Sequence, residues 1–149
     1  MDLQLGVLVS AELEKCTVSP VAGGHRYGAG YARLFHRHSR RLAPGHLLAV
    51  DRAADPPEVV WRWYPATVTR VHARLVELDE PFHGRITATL GPLVSGPVAI
   101  GQTAFVSVGL ADDWRVDDLG LALLPRHPAG LADLVFPEIA AVYRSLGEY

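Results

Sequence analysis

Short β-prone segments separated by Gly and Pro turns recur along most of this chain, and their spacing restricts the fold more than any other feature. Strands at intervals of roughly 8–12 residues with turn signals between them describe an antiparallel sandwich or small barrel. Residues 3–10 (LQLGVLVS) are apolar and β-branched, with Gly6 as the weak point. Residues 46–51 (HLLAVD) follow the Pro44-Gly45 turn signal. Residues 59–64 (VVWRWY) have high β-propensity, 66–71 (ATVTRV) alternate cleanly, and 73–78 and 85–90 (RITATL) flank a turn at 79–84. A last pair is expected at 98–100 and 103–108. Residues 31–38 (YARLFHRH) alternate loosely and favour a strand, whereas 16–30, with Ser19-Pro20, Gly23-Gly24, Gly28 and Gly30, read as loop.

The period changes near the end of the chain. Leu131, Leu134, Val135, Ile139, Val142, Tyr143 and Leu146 recur at spacings of three and four, which predicts an amphipathic helical segment over 130–147. Pro137 kinks it or opens a second helix, and Gly147 is its stop. The expected class is therefore mainly β with one C-terminal helix, in a single domain over 1–149. No internal repeat is visible.

Within that pattern, residues 45–93 hold an ordered set: Gly45-His46-Leu47-Leu48-Ala49-Val50, then Trp63-Tyr64-Pro65-Ala66-Thr67-Val68, then Leu75-Val76-Glu77-Leu78, an acidic turn, and Ile86-Thr87-Ala88-Thr89-Leu90. This order resembles the five-strand barrel of Tudor-type domains, in which an aromatic-Pro-Ala-Thr-aliphatic stretch forms the second strand. The resemblance implies a small antiparallel barrel or strongly bent sheet over 45–93, extended by N- and C-terminal strands. It also implies an aromatic cage for methylated Lys or Arg, with Tyr64 as one wall and Phe82 as another.

Composition limits the function classes. No apolar run approaches the ~18–20 residues of a membrane span, and the single cysteine, Cys16, excludes an intrachain disulfide and a cysteine-built zinc cage. Met1-Asp2-Leu3 carries no basic stretch ahead of its apolar residues, which argues for a cytoplasmic rather than secreted protein. Thirteen Arg against one Lys, with abundant Ala, Leu, Val, Gly and Pro, suggests a bacterium with a GC-rich genome. The net charge of −2 conceals a division: no acidic residue lies between Glu14 and Asp51, where six basic residues do, so the remainder carries about eight excess negative charges.

Several constellations could carry chemistry. His36 and His38 form an HxH pair that, on a strand, points both rings to one face as a metal site needs, although no carboxylate lies close in sequence. Residues 25–41 interleave Arg26, Arg33, Arg37, Arg40 and Arg41 with Tyr27, Tyr31 and Phe35, a combination that attracts phosphate and stacks on unpaired bases. Residues 112–118 (DDWRVDD) miss the calcium-loop spacing and read as a solvated turn with Trp114 tucked onto the core. Trp61 and Trp63 share one strand face and Tyr64 takes the other. No nucleophile elbow, phosphate loop or dinucleotide fingerprint is present, so the reading leans away from an enzyme and assigns no cofactor. The leading expectation is non-catalytic binding through a face of Trp61, Trp63, Tyr64 and Phe82, with a protein or peptide, or a second copy of the chain, as partner. Nucleic acid on the basic segment is the alternative, and a metal-dependent enzyme using His36 and His38 a third.

Overall fold

In the computed structural model, which describes residues 2–32, 34, 42–91, 94, 96–108 and 113–119, the β-prone segments become strands. They are β1 (Leu3–Ala11), β2 (Lys15–Pro20), β3 (Tyr27–Gly30), β4 (Leu47–Asp51), β5 (Glu58–His72), β6 (Leu75–Glu80), β7 (Gly84–Leu90), β8 (Thr103–Val108) and β9 (Trp114–Asp118). Alternation sets their faces: in β2, Cys16, Val18 and Pro20 are buried between Lys15, Thr17 and Ser19. β4 is buried at Leu47, Leu48, Ala49 and Val50 alike, as a continuous apolar run demands of a strand covered on both sides.

The strands form one sheet in the order β3-β2-β1-β4-β5-β6-β7-β9-β8, which closes twice onto β5 through the pairings β3–β5 and β5–β8. Two five-stranded barrels result. The first contains β1 to β4 and residues 58–63 of β5; the second contains residues 64–72 of β5 and β6 to β9. Numbered from its own first strand, each barrel runs 1-2-3-5-4 and back to 1, with its third and fifth strands parallel. That is the Greek-key order of the OB-fold. The fifth strand of the first barrel continues without interruption as the first strand of the second.

Pro65 sits inside this shared strand at a place that tolerates it. Pairing with β4 ends at Trp63 and pairing with β6 begins at Thr67, so around Pro65 only β8 lies alongside. Each barrel has its own core: Leu8, Val18, Leu48, Val50 and Val59 in the first, and Val68, Val76, Leu78, Val106 and Val116 in the second.

Glycine permits both parallel closures. Gly30 N donates to Pro57 O at 2.9 Å, and Gly91 N donates to Val116 O at 2.7 Å. A Cβ on Gly91 would stand 2.8 Å from that same backbone oxygen, whereas on Gly30 it would meet the movable carboxylate of Glu58 at 2.5 Å. Gly91→Ala is therefore expected to cost about 1–3 kcal/mol in urea unfolding, with Gly30→Ala costing less. Equal and negligible effects would show that the second closure has slack.

Several expectations need correction. The described residues are all β with no helix, and the predicted helical segment 130–147 lies outside them. Residues 16–30 are not loop but supply β2 and β3, because Gly28 and Gly30 occupy outward positions and leave the inward alternation intact. Residues 59–64 and 66–71 are one strand, 98–100 form none, and Tyr31, Ala32 and Leu34 are not in a strand. The stretch 45–93 does not close on itself: β4 belongs to the first barrel and β6 and β7 to the second.

Candidate functional site

The two barrels meet around alternate residues of β5. Arg62 lies opposite Leu48 in the β4–β5 ladder and so faces the side of the first core, yet it is fully buried. Its Nη2 donates to Tyr64 Oη at 2.6 Å, and its guanidinium lies over the Tyr64 ring, 4.3 Å from the centroid. Burial lowers the Arg62 pKa, and Tyr64 and Glu80 oppose that shift. Burial also pushes the Tyr64 hydroxyl up to about 12, so a cation rests on a neutral phenol.

Glu80 ends β6 as a buried carboxylate. Its Oε2 accepts from Phe82 N at 3.0 Å and from His83 N at 2.7 Å, and lies 2.6 Å from His83 Nδ1. One carboxylate thus gathers the backbone of the β6–β7 turn around itself. Its other oxygen, Oε1, is buried with no hydrogen-bond partner.

Rings surround this pair. His46, just before β4, packs edge-on against Tyr64 at 5.1 Å and against Phe82 at 5.6 Å. His83 packs on Tyr64 at 5.2 Å and on Trp114 at 5.0 Å. Desolvation, aided by the Arg62 charge, drives the His46 pKa down to about 3, so His46 is a neutral spacer that accepts from Ala43 N at 3.4 Å.

The binding face expected from Trp61, Trp63, Tyr64 and Phe82 does not open as a unit. Trp61, Trp63 and Tyr64 are 1%, 0% and 1% exposed, and only Phe82, at 49%, reaches solvent. A strand shared by two barrels is covered on both faces, which turns its aromatics into core. The Tudor-type cage loses Tyr64 as an accessible wall because the chain's own Arg62 covers that ring. Trp63 serves another purpose: its Nε1 donates to Asp117 Oδ2 at 2.8 Å, an oxygen that also accepts from Ser107 Oγ at 2.6 Å. Arg115 Nε reaches the other carboxylate oxygen at 2.6 Å. The acidic run 112–118 is accordingly part of β9 and not a solvated turn, with Asp117 wholly inside. Neither the structural Asp117 nor the turn-pinning Glu80 was singled out from the sequence; each contains only a local carboxylate signal, and their partners come from the fold.

Arg26 is exposed in the turn before β3, while Arg33, Arg37, Arg40, Arg41, His36 and His38 lie outside the described residues. The chain on either side of them is firmly attached. The Tyr31 hydroxyl hydrogen-bonds the carbonyl oxygens of Glu12 and Leu13 in the β1–β2 turn. At the other side, Gly45 N donates to Leu8 O at 3.0 Å and Leu8 N to His46 O at 2.9 Å. Among the described residues no group of three or more His, Cys, Asp and Glu is arranged to hold a metal. Cys16 is buried with its thiol pushed up to about 11, which suits packing and not nucleophilic attack.

Two grooves lie elsewhere. One of about 240 Å³ crosses the outer face of the second barrel between Arg70, His72, Leu75, Glu77 and Thr87, below the usual 300–1,000 Å³ of a small-molecule pocket. The other is lined by Asp51, Asp55 and Glu58 with Ala32, Ala53, Ala54 and Pro56, a surface that repels anions. Among the described residues no helix is long and apolar enough to cross a membrane.

No family model and no curated protein matches the chain. Among solved structures, the chain is similar to Drosophila Unr CSD456 at 12% identity and a TM-score of 0.31, over 80% of this chain and 63% of that one. It is also similar to a multidomain protein with nucleic acid binding domains from Streptococcus pneumoniae, at 12% identity and a TM-score of 0.31, over 97% of this chain and 58% of that one. The chain thus spans about three-fifths of the length of each, at a likeness too low to transfer a property.

Proposed function

We propose that this chain is a non-catalytic binding module for single-stranded nucleic acid, held where its two barrels meet, with Arg26, Arg33, Arg37, Arg40 and Arg41 as phosphate contacts. One placement supports the reading. The basic connection between β3 and β4 starts at Tyr31, docked on the β1–β2 turn, and ends at Gly45 and His46, which are bonded to β1 and packed on Phe82. Five of the six positive charges between Glu14 and Asp51 therefore belong to one turn and one connection of the first barrel. Five-stranded barrels of this strand order recurrently bind oligonucleotides, and charge gathered on one face supplies the sequence-independent part of such binding.

A protein, a peptide or a second copy docking on Trp61, Trp63 and Tyr64 would need those side chains at the surface, and they are in the core. Fluorescence anisotropy of a single-stranded oligonucleotide over a salt series tests the proposal. Each phosphate contact on a single strand contributes about −0.7 to the slope of log K against log salt, so changing Arg33, Arg37, Arg40 and Arg41 together to Gln should flatten it by up to about 3. Absence of binding by the intact chain at an ionic strength of about 0.05 M, or an unchanged slope in the variant, overturns the proposal.

A further inference from the structure

Phe82 is the one aromatic of the junction that is half exposed, and its presentation is built rather than incidental. The turn that carries it folds around Glu80, whose Oε2 takes the backbone N–H groups of both Phe82 and His83 and contacts the His83 ring. Behind Phe82, His46 meets its ring edge-on at 5.6 Å and is itself seated on Tyr64. A large apolar ring held against rigid neighbours, with an open side, loses little conformational freedom when something stacks on it. The contact with His46 also sets the location: the chain reaches His46 five residues after Arg41, so the open ring lies beside the end of the basic connection.

We infer that Phe82 is a base-stacking platform: an unpaired nucleobase lies on its open side while its phosphates engage the Arg-rich connection. This deepens the proposed function and rests on it. Stacking tolerates any base, because every base has a π-face, so the site reads single-strandedness and not sequence.

The test uses the full chain and four probes: short oligothymidylate and oligouridylate strands, and an abasic deoxyribose-phosphate strand of the same length, with free inorganic phosphate as competitor. Phe82→Ala should weaken binding of the base-bearing strands about tenfold and leave the abasic strand unchanged, and Phe82→Trp should restore the loss. Preference between the DNA and RNA strands then identifies the natural source. Equal binding of abasic and base-bearing strands by the unaltered chain overturns the stacking role while leaving the phosphate reading intact. An equal loss on both strand types in Phe82→Ala, or no loss on either, also overturns it. Failure of the unaltered chain to bind any strand removes the proposed function and this inference together.

Discussion

Asp117→Ala will destabilise the protein by about 3–5 kcal/mol, a large part of the ~5–15 kcal/mol margin of an ordinary domain. The buried carboxylate accepts from Trp63 Nε1 and Ser107 Oγ and pairs with Arg115 Nε. Alanine would strand two buried donors and leave the Arg115 charge, whose side chain is only 19% exposed, without its counter-ion. Burial raises the Asp117 pKa, opposed by the Arg115 charge and by hydrogen bonds from Ser107, Trp63 and Arg115. Asp117→Asn keeps the shape and should cost less. A double-mutant cycle with Trp63→Phe isolates the link between β5 and β9 and should give a coupling of about 0.5–3 kcal/mol. Urea unfolding measures all of these, and an Asp117→Ala variant within about 1 kcal/mol of the parent would refute the cost assigned here.

Acid should weaken the fold through His46. In the unfolded chain this ring takes a proton near pH 6.5, whereas in the folded protein burial and Arg62 hold its pKa to about 3. Below pH 6.5 the unfolded state therefore binds more protons, so stability falls as pH drops from 6.5 towards 3 and is independent of His46 above that window. At pH 5 the loss is about 2 kcal/mol. The measurement is urea unfolding across a pH series for the parent and His46→Phe, compared by difference so that carboxylate titrations common to both cancel. Parallel pH curves for the two proteins would show that His46 is not held neutral.

The sequence made β1, β4, β7 and β8 legible because their apolar positions follow the strand period and their turns carry Gly or Pro. It concealed β2 and β3, where Cys16, Val18 and Ala29 face inward among residues that individually suggest a loop. It misrepresented β9, since the charge of Asp117 is answered by Trp63, 54 residues earlier in the chain. The doubled topology left no repeat to find: strand order is a property of pairing, and the two barrels fill their cores with different side chains. Of the candidate site, Phe82 and the arginines were visible as residue types. The burial of Trp61, Trp63 and Tyr64 was not, because local alternation predicts one covered face and a strand common to two barrels has two.

The unbroken β5 also decides how the molecule can come apart. Its residues 58–63 complete one barrel and its residues 64–72 begin the other, so the place where a linker would ordinarily stand is a ladder of hydrogen bonds. Neither half owns a full set of strands once the chain is divided there. Truncation cannot yield two smaller working pieces, and the pair of barrels is inherited, made and degraded as one indivisible object.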